Sequence, residues 1–98
     1  MILIVENEST ACDWTVLNSK QEKILKTRTV CFNLGELSIF KICNVLYSAS
    51  KLFELKEEIE LLLFYGEESF YEKHQSDLYL VFKDYFPNAR IQINKVSQ

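Results

Sequence analysis

Residues Met1–Trp14 read MILIVENESTACDW, and the interpretation of the whole chain starts from this stretch. Ile2–Val5 is an apolar run of strand length, Glu6–Thr10 is a polar turn, and a second apolar run begins at Trp14. A buried strand, a tight turn and a returning strand can present backbone N–H groups to a phosphate. This turn contains two glutamates and no glycine, so it indicates the ancestry of the chain better than its present activity.

Length and composition predict one small globular domain. The chain has 98 residues, of which 48% are hydrophobic and 13% aromatic, and Pro87 is its only proline. Such a composition is typical of a packed domain with a modest core. The net charge is -3 and no run of Lys or Arg could follow a phosphate backbone, which argues against nucleic acid as a partner.

The cysteines and the apolar runs indicate the cellular compartment. The chain has three cysteines, Cys12, Cys31 and Cys43. This odd number, without paired spacing, argues against a disulfide framework and against a zinc site. We expect buried, reduced thiols and no bound metal. The apolar start is too short for a signal peptide, and Leu61–Tyr65 is too short to cross a membrane, so we expect a cytoplasmic protein without a membrane partner.

The spacing of apolar residues predicts five strands and two helices. Continuous or alternating apolar residues are typical of strands, and spacings of three and four are typical of a helix face. The predicted elements are strands Ile2–Val5, Cys12–Leu17 and Glu22–Phe32, helix Glu36–Phe53, strand Ile59–Tyr65, helix Glu67–Phe86 and strand Arg90–Asn94. Leu55–Glu58 is predicted to be a charged connection, Gly66 to permit a turn, and Lys95–Gln98 to form a frayed tail.

This order, β-β-β-α-β-α-β, predicts an α/β fold with a mixed five-stranded sheet in the order 3-2-1-4-5. Short links join the first three strands into an antiparallel meander, and each helix is a right-handed crossover to the next strand. The alternation of charged and β-branched residues in Lys26–Thr29 is typical of an edge strand. The predicted apolar stripe of the second helix consists of Leu78, Val81, Phe82 and Tyr85.

Three short stretches carry a resemblance to a known family. The opening resembles the family sequence MILIADSGSTKTDW, Leu63–Gly66 resembles a strand ending in YFYG, and Phe86–Ala89 resembles the helix end before the next strand. On these grounds the chain resembles the N-terminal subdomain of the BadF/BadG/BcrA/BcrD-type ATPases, which include N-acetylglucosamine kinase-like sugar kinases. The resemblance implies a ribonuclease-H-like fold, the actin-like ATPase subdomain, and covers about the first third of a family member.

The resemblance also assigns positions to a phosphate loop, and several of them have changed. Glu6 stands at the family's aspartate, which works through Mg²⁺ and the phosphates, and Glu8 at its turn glycine; Ala11 and Cys12 replace a lysine and a threonine. A carboxylate 4 Å from a phosphate at an effective dielectric of 20 costs about 4 kcal/mol. We therefore interpret the positions that remain polar, namely Glu6, Ser9, Thr10 and Asp13, as a vestigial phosphate loop.

Other functional positions of the family are also altered. The Gly-x-Asn-Pro loop implicated in holding sugar corresponds to Cys31–Leu34, in which only Asn33 matches, so Asn33 is a sugar-loop remnant or a residue of a helix N-terminal turn. The catalytic aspartate of the family falls near Val96, and no acid occurs after Asp84. The resemblance therefore implies no catalytic residue here and weak or no nucleotide binding. We expect no cofactor, although the family would use Mg-ATP.

The vestigial residues have simpler interpretations as well. Ser9, Thr10 and Asp13 could keep a residual ion or phosphate site, or they could shape a polar turn and cap the returning strand. Glu6 and Glu8 could bind a cation together, or they could be separate solvated carboxylates.

Two further features of the second helix enter the functional interpretation. His74, the only histidine, has no nucleophile in a recognisable motif, so we expect a solvated surface side chain. The helix is rich in aromatic residues, including Phe70, Tyr71 and Tyr79, some of which could form an exposed patch that drives self-association.

The leading hypothesis is a degenerate, stand-alone subdomain without catalytic activity that acts as a binding or assembly module, and we expect a homodimer. The alternative is one lobe of a split or oligomer-assembled ATP-dependent amino-sugar kinase, with the missing second lobe supplied by a partner. A third interpretation, the product of a truncated gene, predicts poor stability.

Overall fold

The computed structural model describes residues 1–7, 11–30 and 52–96. Its elements are the strands β1 (Ile2–Asn7), β2 (Ala11–Leu17) and β3 (Lys23–Val30), the helix α1 (Leu52–Leu55), the strand β4 (Leu61–Glu67), the helix α2 (Glu68–Tyr85) and the strand β5 (Arg90–Val96). The helix predicted over Glu36–Phe53 lies outside the described residues except for Leu52 and Phe53, which are in α1. The predicted end of the third strand at Phe32 also lies outside them.

The strands form one mixed sheet in the order β3-β2-β1-β4-β5, which confirms the predicted order. β1 is antiparallel to β2 and parallel to β4, β2 is antiparallel to β3, and β4 is parallel to β5. β3 is thus an edge strand, which confirms that prediction.

The turn between β2 and β3 is closed by Asn18, whose side-chain oxygen accepts backbone hydrogen bonds from Lys20 and Glu22, each 2.9 Å long.

The core lies between the sheet and α2. Sheet residues on this face are fully or almost fully buried, and they are Leu3, Val5, Cys12, Trp14, Val16, Leu62 and Phe64. From α2, Phe82 packs against Trp14 and Phe64, with ring centroids 6.3 Å and 5.6 Å apart. The contact between Trp14 and Phe82 is edge-to-face, which aromatic pairs favour. Leu78, Val81 and Phe82 are buried and Tyr85 packs against the core, so the predicted stripe is confirmed.

His74, on α2, is half-buried rather than fully solvated. Burial lowers the pKa of His74, and so does the charge of Lys73, while the charge of Asp77 raises it.

Within the described ranges, no helix is both long and apolar enough to cross a membrane.

Several predicted boundaries were wrong by one or two residues. β4 begins at Leu61 rather than Ile59, because Ile59 is an apolar residue that enters the core just before strand pairing starts. β5 continues beyond Asn94, because Lys95 and Val96 pair with β4, so the prediction of fraying was wrong for these two residues. Leu55, predicted in a connection, is the last residue of α1.

Gly66 has a different role from the predicted one. It lies within β4 and pairs with Asn7 and Lys95, so it does not form the turn. A Cβ atom at this position would lie 2.5 Å from Cε1 of Phe64, because the ring of Phe64 covers the glycine. The close approach of this ring, and not a left-handed backbone, requires glycine here.

We expect Gly66→Ala to destabilise the fold by about 1 to 3 kcal/mol, because the added methyl group displaces the ring of Phe64 from a filled core. Chemical denaturation would measure the loss of stability, with Ser76→Ala, at an exposed position of α2, as the control. The loss should be smaller in a Phe64→Leu background, and equal losses in both backgrounds would contradict this explanation.

Candidate functional site

Two residues of the predicted phosphate loop, Glu6 and Asp13, lie where β1 ends and β2 begins. Of Glu6, Ser9, Thr10 and Asp13, the structure describes Glu6 and Asp13, whereas Ser9 and Thr10 lie outside the described residues. Asn33 of the predicted sugar loop also lies outside them. Glu6 and Asp13 are register partners, so both side chains are on the sheet face opposite α2.

Asp13 forms a two-pronged ion pair with Arg28. Nε of Arg28 donates to Oδ1 of Asp13 at 2.7 Å, and Nη2 donates to Oδ2 at 3.0 Å. The two residues are register partners on β2 and β3, so the pairing of the strands brings them together. This bidentate geometry is the strongest form of a carboxylate–guanidinium contact. Both carboxylate oxygens of Asp13 are thus engaged within the sheet.

The ion pair also changes the titration of Asp13. The hydrogen bonds from Arg28 hold the pKa of Asp13 below its ordinary value of 3.8, and the charges of Arg28 and Lys26 act in the same direction, while partial burial opposes them. Hydrogen bonds and positive neighbours favour the charged form of a carboxyl group. Asp13 therefore remains a carboxylate throughout the physiological pH range.

Glu6 has a more open environment than Asp13. Its side chain is exposed, and its neighbour on the other side, in β4, is Tyr65. Within the described part of the chain, no ion pair or side-chain hydrogen bond engages Glu6. This agrees with a solvated carboxylate, the simpler of its two interpretations.

Asn7 places an amide group in the core at the same edge. Its side chain is on the α2 face, next to Gly66 and Cys12, and is only 5% exposed. Among the described residues, neither polar atom of this amide has a hydrogen-bond partner. A buried, unpaired amide costs free energy, so this end of β1 is less well satisfied than the rest of the strand.

An acidic cavity lies at the carboxyl ends of β4 and β5. It has a volume of about 400 Å³, and its lining includes Glu67, Glu68, Glu72 and Val96. Nζ of Lys95 lies 3.6 Å from Glu68 and 3.8 Å from Glu72. Val96, near which the resemblance places a catalytic aspartate, offers the cavity a hydrocarbon side chain. Three carboxylates and one ammonium group make this cavity unfavourable for a polyphosphate.

The charges at the N-terminus of α2 also disfavour the binding of a polyphosphate. Glu67 occupies the N-cap position without a side-chain capping bond, and Glu68 lies in the first turn. A helix N-terminus attracts negative charge, and here its own glutamate supplies that charge. In the described residues, no three His, Cys, Asp or Glu side chains are arranged to hold a metal ion.

Sequence reasoning missed Arg28, Asn7 and the acidic cavity. Arg28 was interpreted only as an edge-strand charge, although the spacing of the β2–β3 hairpin places it opposite Asp13. Alternation along β1 places Asn7 on the same face as Leu3 and Val5, which was the available signal for its burial. The cavity had no comparable signal, because it depends on where α2 starts relative to β5.

A solved structure has the same fold. The chain is similar to a proposed N-acetylglucosamine kinase from Porphyromonas gingivalis, with a TM-score of 0.70 and 18% sequence identity. The match covers 97% of this chain and 34% of that protein, so the chain spans about a third of its length. The likeness shows that the chain has the fold of one part of that protein, as the sequence resemblance implied.

Comparison of the sequence with known proteins found no match. No protein-family model matches the chain, and no curated protein matches it significantly. The structural match is therefore the comparison that supports the resemblance found at Met1–Trp14.

Replacing Asp13 with Asn should lower the free energy of unfolding at neutral pH by about 0.5 to 1 kcal/mol, the size expected for a partly exposed bidentate pair. The pKa of Asp13 is lower in the folded protein than in the unfolded chain, so the contribution is complete above the unfolded pKa. It is lost as the pH falls through the folded pKa.

Urea denaturation at a series of pH values tests this expectation, with Asp77→Asn, at an exposed position of α2, as the control. The difference between wild type and Asp13→Asn should disappear in strong acid. A difference that stays constant down to the lowest pH would show that the carboxylate charge is not responsible.

Proposed function

We propose that this chain is a binding or assembly module that has the fold of an actin-like ATPase subdomain and does not transfer phosphate. We place it in the cytoplasm, in keeping with the buried thiol of Cys12 and the unpaired spacing of its cysteines.

The acidic cavity at the carboxyl ends of β4 and β5 is the observation that carries this proposal. Its carboxylates Glu67, Glu68 and Glu72 would repel a polyphosphate there, and Val96 offers no acid close to where the resemblance places one. Phosphoryl transfer depends on positioning and charge stabilisation, and the described lining of this cavity supplies mostly negative charge.

A second candidate function is one lobe of a split or oligomer-assembled amino-sugar kinase. The structural match favours keeping it, since the aligned region is only 34% of the proposed kinase from Porphyromonas gingivalis. In that case a partner would have to supply the second phosphate loop and the catalytic acid. Phosphate transfer to an amino sugar would then require both proteins together.

We expect Mg-ATP to leave the melting temperature of the isolated chain unchanged and no phosphate to reach N-acetylglucosamine. A ligand at 100 times its Kd stabilises a protein by about 2.7 kcal/mol, and in a domain of this size that shift would be obvious in a thermal melt. Micromolar binding together with phosphate transfer by the chain alone would overturn the proposal.

A variant with the family residues restored is the matched control. Glu8→Gly combined with Ala11→Lys removes one negative charge and adds one positive charge at the first residue of β2. Because Ala11 is buried, circular dichroism must first show that the variant folds. It should bind inorganic triphosphate in the presence of Mg²⁺ more tightly than wild type, and the gain should fall as salt increases.

The expected homodimer also belongs to this proposal, and the outward face of α2 is our candidate contact surface. Leu80 is 67% exposed and Tyr79 is 48% exposed, whereas Phe82 and Phe86 are in the core. The predicted aromatic patch is thus smaller than expected among the described side chains. Association through it would be weak, since interfaces with few buried anchors have low affinity.

Leu80→Lys should shift the chain toward the monomer in sedimentation equilibrium, because a charge at this exposed position opposes close packing of two helices. The fold should be unaffected, since the side chain contributes little to the core. An unchanged association constant would exclude the outward face of α2 as the contact.

A further inference from the structure

The sheet face opposite α2 carries an apolar strip at its centre. We call it the open face. In the strand register, one row of side chains runs through β2, β1 and β4 as Leu17, Ile2 and Leu61, and the next row as Thr15, Ile4 and Leu63. Five of these six side chains are aliphatic, so the strip is three strands wide and two rows deep.

The open face is separate from the hydrophobic core. Ile2, Ile4, Leu61 and Leu63 are partly exposed and do not belong to the core cluster, whereas Leu3 and Leu62 beside them are fully buried. α2 lies on the other face, with Phe82 against Trp14 and Phe64. Among the described elements, none covers the open face.

Basic residues flank the apolar strip on both sides. On β3, Lys23 and Lys26 continue the two rows next to Leu17 and Thr15, and on β5 Arg90 continues the first row next to Leu61. These three side chains are exposed. Within the described ranges, none of them forms an ion pair, in contrast to Arg28. A partner with negative charge on both sides of an apolar stripe would complement this arrangement.

The dimensions of the open face suit one α-helix. Strands are about 4.8 Å apart, so β3 and β5 each lie about 10 Å from the central strand β1. A helix with its side chains is about 10 to 12 Å wide, so a helix above β1 would cover β2, β1 and β4 and leave the basic residues on its flanks. About 14 residues of helix would match the length of the strands.

A carboxylate at one end of the open face favours one orientation of a bound helix. Glu6, exposed and next in line after Ile4 along the same face, lies at the carboxyl end of β1. A helix N-terminus is stabilised by a nearby carboxylate. The favoured orientation therefore runs antiparallel to β1, with the N-terminus of the helix close to Glu6.

We propose that the open face docks an amphipathic helix of a protein partner, whose apolar stripe is flanked on both sides by Asp or Glu. This inference rests on the proposed function as a binding module and specifies its partner. The apolar strip supplies burial, and Lys23, Lys26 and Arg90 select acidic flanks over basic ones.

The test uses two synthetic helical peptides with the same leucine stripe, one flanked by glutamates and the other by lysines. Fluorescence anisotropy with the full chain should show at least tenfold tighter binding of the acidic peptide, and the difference should shrink at high salt. Equal affinities, or no binding of either peptide, would overturn the proposal.

Two substitutions locate the binding to the open face. Leu63→Lys should weaken binding of the acidic peptide at least tenfold, whereas Leu80→Lys on α2 should leave it unchanged. The double variant Lys26→Glu/Arg90→Glu, at exposed positions, should reverse the preference between the peptides even if Leu63→Lys does not fold. Circular dichroism checks the fold of each variant.

Two outcomes separate this inference from the proposed function. Wild-type affinity in Leu63→Lys would contradict docking on the open face while leaving the lack of phosphate transfer intact. Phosphate transfer by a chain that still prefers the acidic peptide would contradict the proposed function alone. A dimer that dissociates on Leu63→Lys would show that a second copy covers this face and would overturn the helix proposal.

Discussion

The contact of Phe82 with Trp14 and Phe64 is the constraint on which the rest of the structure depends. Trp14 belongs to the antiparallel meander and Phe64 to the parallel part of the sheet, so one side chain of α2 joins the two halves of the domain. α2 follows β4 directly, so the chain connection positions the N-terminus of this helix at the carboxyl ends of β1 and β4. The same contact holds α2 on one face and so determines which sheet face remains uncovered by described elements.

Most of the fold could be predicted because it depends on periodicity. Alternation along β1 and the helical spacing of Leu78, Val81 and Phe82 are properties of the sequence itself, and the strand order followed from them. The end of β5 and the role of Gly66 were mispredicted for a different reason. Both depend on neighbours distant in sequence, namely the pairing of Lys95 with β4 and the ring of Phe64 above the glycine.

The candidate site was harder to predict than the fold, because its meaning depends on pairings between side chains. The family resemblance assigned Asp13 to a phosphate loop, but only the register of β2 and β3 shows that Arg28 engages its carboxylate. Likewise, Glu68 and Glu72 are ordinary helix residues in sequence, and their proximity to Lys95 and Val96 arises from the start of α2 beside the end of β5. The assignment of Ser9 and Thr10 to a phosphate loop rests on the sequence resemblance alone.

The parallel pairing of β1 with β4 has a consequence for the order of folding. Ile2 pairs with Leu61, so the central strand of the sheet gains its second neighbour only after most of the chain exists. During synthesis the β1–β3 meander can form from local contacts, while one edge of β1 stays unpaired for several seconds at about 5 to 20 residues per second. An unpaired apolar edge can recruit other chains. The interval before β4 emerges is therefore the time at which nascent chains of this protein are most exposed to aggregation.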